Sequence, residues 1–261
     1  MKQWLLELRE LILPTVCAGC GRSVEPATVL CPPCDAALPR FEIPGPTPPG
    51  LDACVAAAEY SAATELWIRR FKYPKPGLAG IDTAAGSVVR MLACEAAARA
   101  PGEPPALVLP VPLHPRRLAA RGFNPAGLLA RSVARAVRIP MDARALRRIH
   151  DTPTQTGLGA ADRRRNVRGA FRAMRSLPHA IWLVDDVTTT GSTLSEIARV
   201  CRAAGARQIV ALCAAATPGP RQAPGTTAGV QQATSPLPAT NGSERSFRSG
   251  LHRDASDRPA S

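Results

Sequence analysis

Lysine is nearly missing from this chain. Of its 33 basic residues only Lys2, Lys72 and Lys75 are lysines, and the rest are arginines. A Walker A phosphate loop is thereby excluded, because it ends in Gly-Lys-Ser or Gly-Lys-Thr and no lysine follows Lys75. Aromatic residues are also scarce, at 4%, too few for an extended platform on which single-stranded bases stack. Long apolar runs are absent. The longest, Ile209 to Ala216, has eight residues, against the roughly 20 that a membrane helix needs. The first fourteen residues do not read as an export signal, since Glu7, Arg9 and Glu10 interrupt the leucines and no small-residue cleavage site follows. A cytoplasmic protein without membrane insertion is the expectation. The 261 residues, 45% of them apolar, can bury a sizeable core, so wholesale disorder is excluded.

The net charge of +13 is unevenly placed. Residues 112 to 175 hold fifteen arginines against Asp142, Asp151 and Asp162, a net of +12. Arginine forks suit bidentate capture of phosphate oxygens, so phosphate-rich partners are expected, small molecules or nucleic acid. Arg131, Arg135 and Arg138 share a helical stretch and read as its solvated face.

Along the chain, Trp4, Leu5, Leu8, Leu11 and Ile12 fall on one face of a short helix ended by Pro14. Cys17, Cys20, Cys31 and Cys34 follow with C-x2-C-x10-C-x2-C spacing. Two such pairs, each on a tight turn, set four thiolates at tetrahedral corners, the preference of a structural Zn²⁺ with no open position for a reacting water. Two disulfides would fit the count, but without an export signal they are disfavoured. Cys54, Cys94, Cys201 and Cys213 lack pair spacing and read as small apolar residues. Residues 1–41 thus form a helix and a four-cysteine unit, and residues 42–50 read as a linker. Residues 51–216 alternate strand-like and helical segments, the habit of an α/β domain. Residues 217–261, with six prolines and five glycines, read as a disordered tail.

The segment from Ile181 to Leu194 carries the strongest chemical signal. Ile181 to Val184 reads as a buried strand with Asp185 and Asp186 at its C-terminal end, where open α/β sheets bind ligands. Thr188, Thr189, Thr190, Gly191, Ser192 and Thr193 form a hydroxyl-rich loop, followed by a helix whose Leu194, Ile197, Ala198 and Cys201 share a face. Thr193 and Glu196 have capping-box spacing, and Gly205 fits the helix's C-terminal cap. Such a loop offers backbone N–H groups and hydroxyls at the positive end of a helix, a cradle for one phosphate. Carboxylates beside it accept hydrogen bonds from sugar hydroxyls. The combination describes a ribose 5-phosphate. A dinucleotide fold would want G-x-G-x-x-G, and the segment has a single glycine. A receiver domain would want a lysine on a later strand, and there is none.

LVDDVTTTGST resembles the phosphoribosyl-pyrophosphate (PRPP) signature of type I phosphoribosyltransferases. That resemblance implies a parallel sheet flanked by helices. Asp185 and Asp186 would lie on the ribose hydroxyls, Thr188 to Thr193 on the 5-phosphate, and Mg²⁺ on the hydroxyls and pyrophosphate. Two further segments narrow it. VLPVPLHPRRLAARGFN (108–124) reads as a strand from Val108 to Leu113, an arginine-bearing loop, and a helix from about Pro125 with Asn124 just ahead of it. RRIHDTPTQTGLGAADRRRNVRGAF (147–171) joins a polar turn to an arginine run. With the four-cysteine unit, these segments resemble the ComF family (competence protein F, amidophosphoribosyltransferase-like) over about residues 10–216.

The resemblance implies that Arg117, Arg121, Gly122 and Asn124, with Lys72 of the Phe71-Lys72-Tyr73 motif, serve the pyrophosphate. His114 of the same segment reads as a structural or loop contact. Gln155, Arg163, Asn166 and Phe171 match a second motif in the region of a flexible hood loop. Pro125 stands where that family usually has glutamine. Two functions follow as expectations: an enzyme displacing pyrophosphate from C1 of PRPP, or a module that senses PRPP or grips single-stranded DNA without turnover. The family's link with DNA uptake adds a competence helicase as a partner for the cysteine unit.

Overall fold

The computed structural model describes residues 15–41, 47–74, 83–151, 165 and 167–218. The expected N-terminal helix, Lys75, Gln155, Arg163, Asn166 and the tail beyond residue 218 lie outside the described residues.

Four parallel strands form the central sheet in the order β1 (Ala53–Glu59), β6 (Gln208–Ala216), β5 (Ala180–Thr188), β2 (Leu107–Pro110). Parallel sheets are covered on both faces, so their strands read as continuous apolar runs, as β5 and β6 do. The two-residue repeat of a strand divides these side chains between two cores. On one face Val108, Trp182, Val184, Val210 and Leu212 meet α3 (Ala84–Ala98) and α5 (Pro125–Val137). On the other, Leu109, Ile181, Leu183, Ile209 and Ala211 meet α6 (Ser192–Ala203). The second core also takes in β3 (Leu146–Arg148) and β4 (Phe171–Ala173), an antiparallel pair that we call the hood. The expected α/β class, a parallel sheet flanked by helices beside a small four-cysteine unit, is what the chain builds.

Helix α3 buries alanines at 85, 93, 96 and 97 beside Val88, Val89 and Leu92. The strands it covers are equally rich in alanine, so small side chains meet small ones. Thr83 caps α3 by accepting the Gly86 N–H at 2.9 Å. Helix α2 (Ala62–Lys72) packs on α3, fixed at its start by a capping box between Ser61 and Thr64.

Four local expectations are corrected. Strand β5 runs on to Thr188, with Asp185 and Asp186 inside it rather than beyond it, because its ladder with β6 continues to Ala216. Strand β2 ends at Pro110, not Leu113, since Pro110 and Pro112 have no N–H to give a ladder. The arginine-bearing loop contains a short helix, α4 (Pro115–Arg121), started by His114, whose Nδ1 accepts the Arg116 N–H at 3.3 Å. The Thr193–Glu196 capping box does not form. Gly191 occupies the N-cap in the left-handed conformation, and Glu196 instead accepts the Gly169 N–H at 2.9 Å.

The cysteine unit joins the sheet through the chain that follows it. Glu59 N–H donates to the Pro39 carbonyl at 2.7 Å, and Arg40 and Ala58 form an antiparallel bridge. Arg40 also reaches Asp35 of α1 (Pro32–Ala36) at 2.7 Å and Glu95 of α3 at 3.1 Å. At the opposite margin, Met141 forms a parallel bridge with Val108.

Leu183 is fully buried at the centre of β5. Leu183→Ala is expected to cost about 3 kcal/mol of folding free energy, read from the urea midpoint.

Candidate functional site

The site gathers at the C-terminal end of β5. Strand alternation sends Asp185 and Asp186 to opposite faces of the sheet. Asp186, buried, meets helix α2, where Lys72 Nζ lies 2.8 Å from its Oδ1. Asp185, half-buried, takes the Asp186 N–H on Oδ1 at 2.9 Å and faces the hood, from which Arg148 acts on it electrostatically. Burial raises the Asp185 carboxyl to about 7, and the charge of Asp186 adds to this against the pull of Lys72 and Arg148. Burial opposes the charge on Lys72, but the two carboxylates outweigh it and its pKa is raised.

After Thr188 the chain turns into α6. Thr190 Oγ1 and Ser192 Oγ share a hydrogen bond at 2.8 Å, and Thr189 and Thr190 are exposed. Gly191 has φ +67°, and a Cβ there would collide with Pro48. Only glycine fits this turn. The helix that starts at Ser192 leaves its first N–H groups without intrahelical acceptors, as every helix does. Thr193 is half-buried in its first turn.

The arginine loop stands beside the acids. Arg121 closes α4, its guanidinium 4.8 Å over the Tyr73 ring and 2.8 Å from the Tyr73 hydroxyl. Its Nε is buried without a hydrogen-bond acceptor. Gly122 reverses the chain with φ +84°. Asn124 precedes α5 but does not cap it. Its Nδ2 donates to the Val111 carbonyl at 3.0 Å, tying the loop to the end of β2. Arg117 lies 3.9 Å from Asp151. Lys72, Arg121, Asp185 and Asp186 therefore stand around one strand end, drawn from α2, α4 and β5.

Sequence reasoning missed Arg148 and Asp151, and it had Tyr73 only as part of a motif, without its contact to Arg121. Arg148 is almost fully buried, 5.5 Å over the Phe171 ring, and burial and the charge of Arg117 lower its pKa. A signal was present: Leu146 and Arg148 are two apart in a strand, so a charge shares the inward face with a leucine. Phe171, half of that contact, stands out in the sequence without its partner.

The second candidate site is a metal centre. The Sγ atoms of Cys17, Cys20, Cys31 and Cys34 all lie within 4.8 Å of one another, with Cys20 and Cys31 at 3.6 Å. Sulfurs at tetrahedral corners around Zn²⁺, with Zn–S about 2.3 Å, are about 3.8 Å apart. The Gly21 N–H donates to the Cys17 carbonyl at 2.9 Å, and the Cys31 N–H donates to Cys17 Sγ at 3.2 Å. That amide leads the effects that lower the Cys17 thiol to about 6, toward the thiolate a metal requires. A Cβ on Gly19 would come within 2.9 Å of Cys34 Sγ. Of the other cysteines, Cys201 and Cys213 are buried, and Cys54 and Cys94 partly so.

No family model matches the chain. The DNA utilization protein YhgH of Escherichia coli O157:H7 is 33% identical over 209 residues, 76% of this chain and 88% of that protein. Competence protein F of Haemophilus influenzae is 34% identical over 165 residues, 62% of this chain and 71% of that protein. The chain belongs to the competence protein F family. Among solved structures, the glutamine PRPP amidotransferase of B. subtilis complexed with ADP and GMP aligns over 57% of this chain and 30% of that chain, with 19% identity and a TM-score of 0.36. TT1426 from Thermus thermophilus aligns over 52% of this chain and 84% of that chain, with 17% identity and a TM-score of 0.30. Among the described residues of this competence protein F relative, no helix is long and apolar enough to cross a membrane.

The raised Asp185 pKa makes stability depend on pH. An acid whose folded value lies above its unfolded one, about 4, stabilises the fold while protonated. That contribution is lost as pH climbs toward 7. Asp185→Asn is expected to be the more stable protein at pH 8, by about 2 kcal/mol because the residue is only half-buried, with the gap closing toward pH 4. Urea midpoints at the two pH values measure it.

Proposed function

We propose that this protein binds PRPP at the end of β5 and displaces pyrophosphate from its C1. The observation that carries this reading is the convergence on one strand end of a carboxylate pair with its lysine, a hydroxyl-rich helix start and an arginine loop. Asp185 and Asp186 would accept hydrogen bonds from the ribose hydroxyls. Thr188 to Thr193 would hold the 5-phosphate with backbone N–H groups and hydroxyls. Arg117, Arg121 and the turn at Gly122 would receive the departing pyrophosphate, whose charge they neutralise as it develops. The unpaired Nε of Arg121 is a buried donor suited to such an acceptor. No covalent nucleophile is needed, since positioning and charge neutralisation supply the rate. Mg²⁺ would enter with the substrate and screen its pyrophosphate.

A second reading keeps the same pocket but without turnover, on a protein that grips single-stranded DNA. The exposed Arg131 and Arg135 of α5 and the names of the relatives, DNA utilization and competence, favour a role in DNA uptake. A competence helicase would be the partner of the cysteine unit, which we assign to structural zinc. The spacing of the four sulfurs and the cradle at Gly19 support that metal.

Pyrophosphate release from PRPP with Mg²⁺ is the deciding assay, run with candidate acceptors and with single-stranded DNA. Asp185→Asn/Asp186→Asn is expected to lower release by about 100-fold or more. Binding of PRPP without release, together with DNA affinity that falls steeply with salt, would favour the second reading. Metal analysis is expected to find one zinc for each four-cysteine unit. Gly19→Ala is expected to weaken zinc about 10-fold in a chelator competition, by pushing Cys34 Sγ off its corner.

A further inference from the structure

A carboxylate just beyond β3 stands beside the arginine loop. Asp151 Oδ1 lies 3.5 Å from His114 Nδ1 and 3.9 Å from Arg117 Nε, and Oδ2 lies 3.7 Å from an Arg116 nitrogen. The side chains of Asp151 and Arg117 are about two-thirds shielded from water, at 33% and 31% exposure. Buried Arg148 lies within electrostatic reach of Arg117, Asp151 and Asp185 together, so it stands between this carboxylate and one of the two acids.

The lengths of these contacts say what the carboxylate does. A residue that pins a loop makes short, directed hydrogen bonds, as Asp142 does with Arg175 at 2.6 and 3.0 Å. Among the described residues, Asp151 makes no such bond to the loop. All three contacts are 3.5 Å or longer, and His114 Nδ1 already accepts the Arg116 N–H. The anion is held by charge rather than by fit.

We propose that Asp151 is an internal competitor for the arginine loop, an affinity-determining residue whose carboxylate stands where a diphosphate group must sit and gives way to it. The proposal rests on the reading of this loop as the diphosphate subsite. Two guanidiniums, of Arg116 and Arg117, stand beside this carboxylate, which eases their mutual repulsion, and an incoming ligand must bring more charge than it displaces.

Calorimetric titration with inorganic pyrophosphate tests this on the full chain, with the parent, Asp151→Asn, Arg117→Gln and the double variant. Asp151→Asn is expected to bind pyrophosphate about three- to fivefold more tightly than the parent, a gain that shrinks at high salt. In the Arg117→Gln background the gain should be smaller, because one of the contested cations is gone. Unchanged or weaker binding by Asp151→Asn would overturn the proposal and make the residue a bystander or a pin. Equal affinity of the parent and Arg117→Gln would instead remove the diphosphate subsite itself, whatever Asp151 does.

Discussion

Two negative charges at the end of a buried strand are the constraint around which this molecule is arranged. Adjacent carboxylates repel, and burial makes Asp185 harder to ionise. The fold meets this by sending them to opposite sides of the sheet and bringing a cation to each. Lys72 comes from the last turn of α2 to Asp186, and Arg148 from the hood toward Asp185. The compensation is incomplete, since Asp185 remains hard to ionise. A strand end this charged serves no packing purpose. Countercharge reaches it from both faces, from α2 on one side and from the hood on the other.

The two cores reflect the same division. One joins the sheet to α3, α5 and the cysteine unit, and the other joins it to α6 and the hood. Lys72 belongs to the first side and Arg148 to the second. The acid pair therefore sits on the seam between the two cores, one carboxylate turned to each. Pro48 adds a contact from a third direction, buried against the Gly191 turn.

Much of this was legible in the sequence, for identifiable reasons. The parallel sheet announced itself because strands covered on both faces leave long apolar runs, as in Ile209 to Ala216. The four cysteines were legible because metal geometry forces a local spacing. The acid pair and threonine loop were legible because they are contiguous. What depends on distant segments was not. Arg148 carried only the weak signal of sharing a strand face with Leu146, and nothing marked Asp151 above its neighbours until the hood folds over the sheet. The failed capping box shows the same limit: Thr193 and Glu196 had the right separation, but Glu196 was taken by Gly169, 27 residues away. Local pattern fixes what a helix start can do, and tertiary neighbours decide what it does.

The margins of the sheet carry a consequence for how this protein meets others. Residues 39–41 lie along the outer side of β1, and residues 140–142 along that of β2. Both outer ladders are thus occupied by short pieces of the protein's own chain, the usual defence against strand-to-strand sticking. A partner arriving where these segments pair with the central sheet meets backbone already in use. Recognition there falls to side chains, and on the helices the exposed charges are mostly arginine, so such recognition yields to salt in a way that strand addition would not.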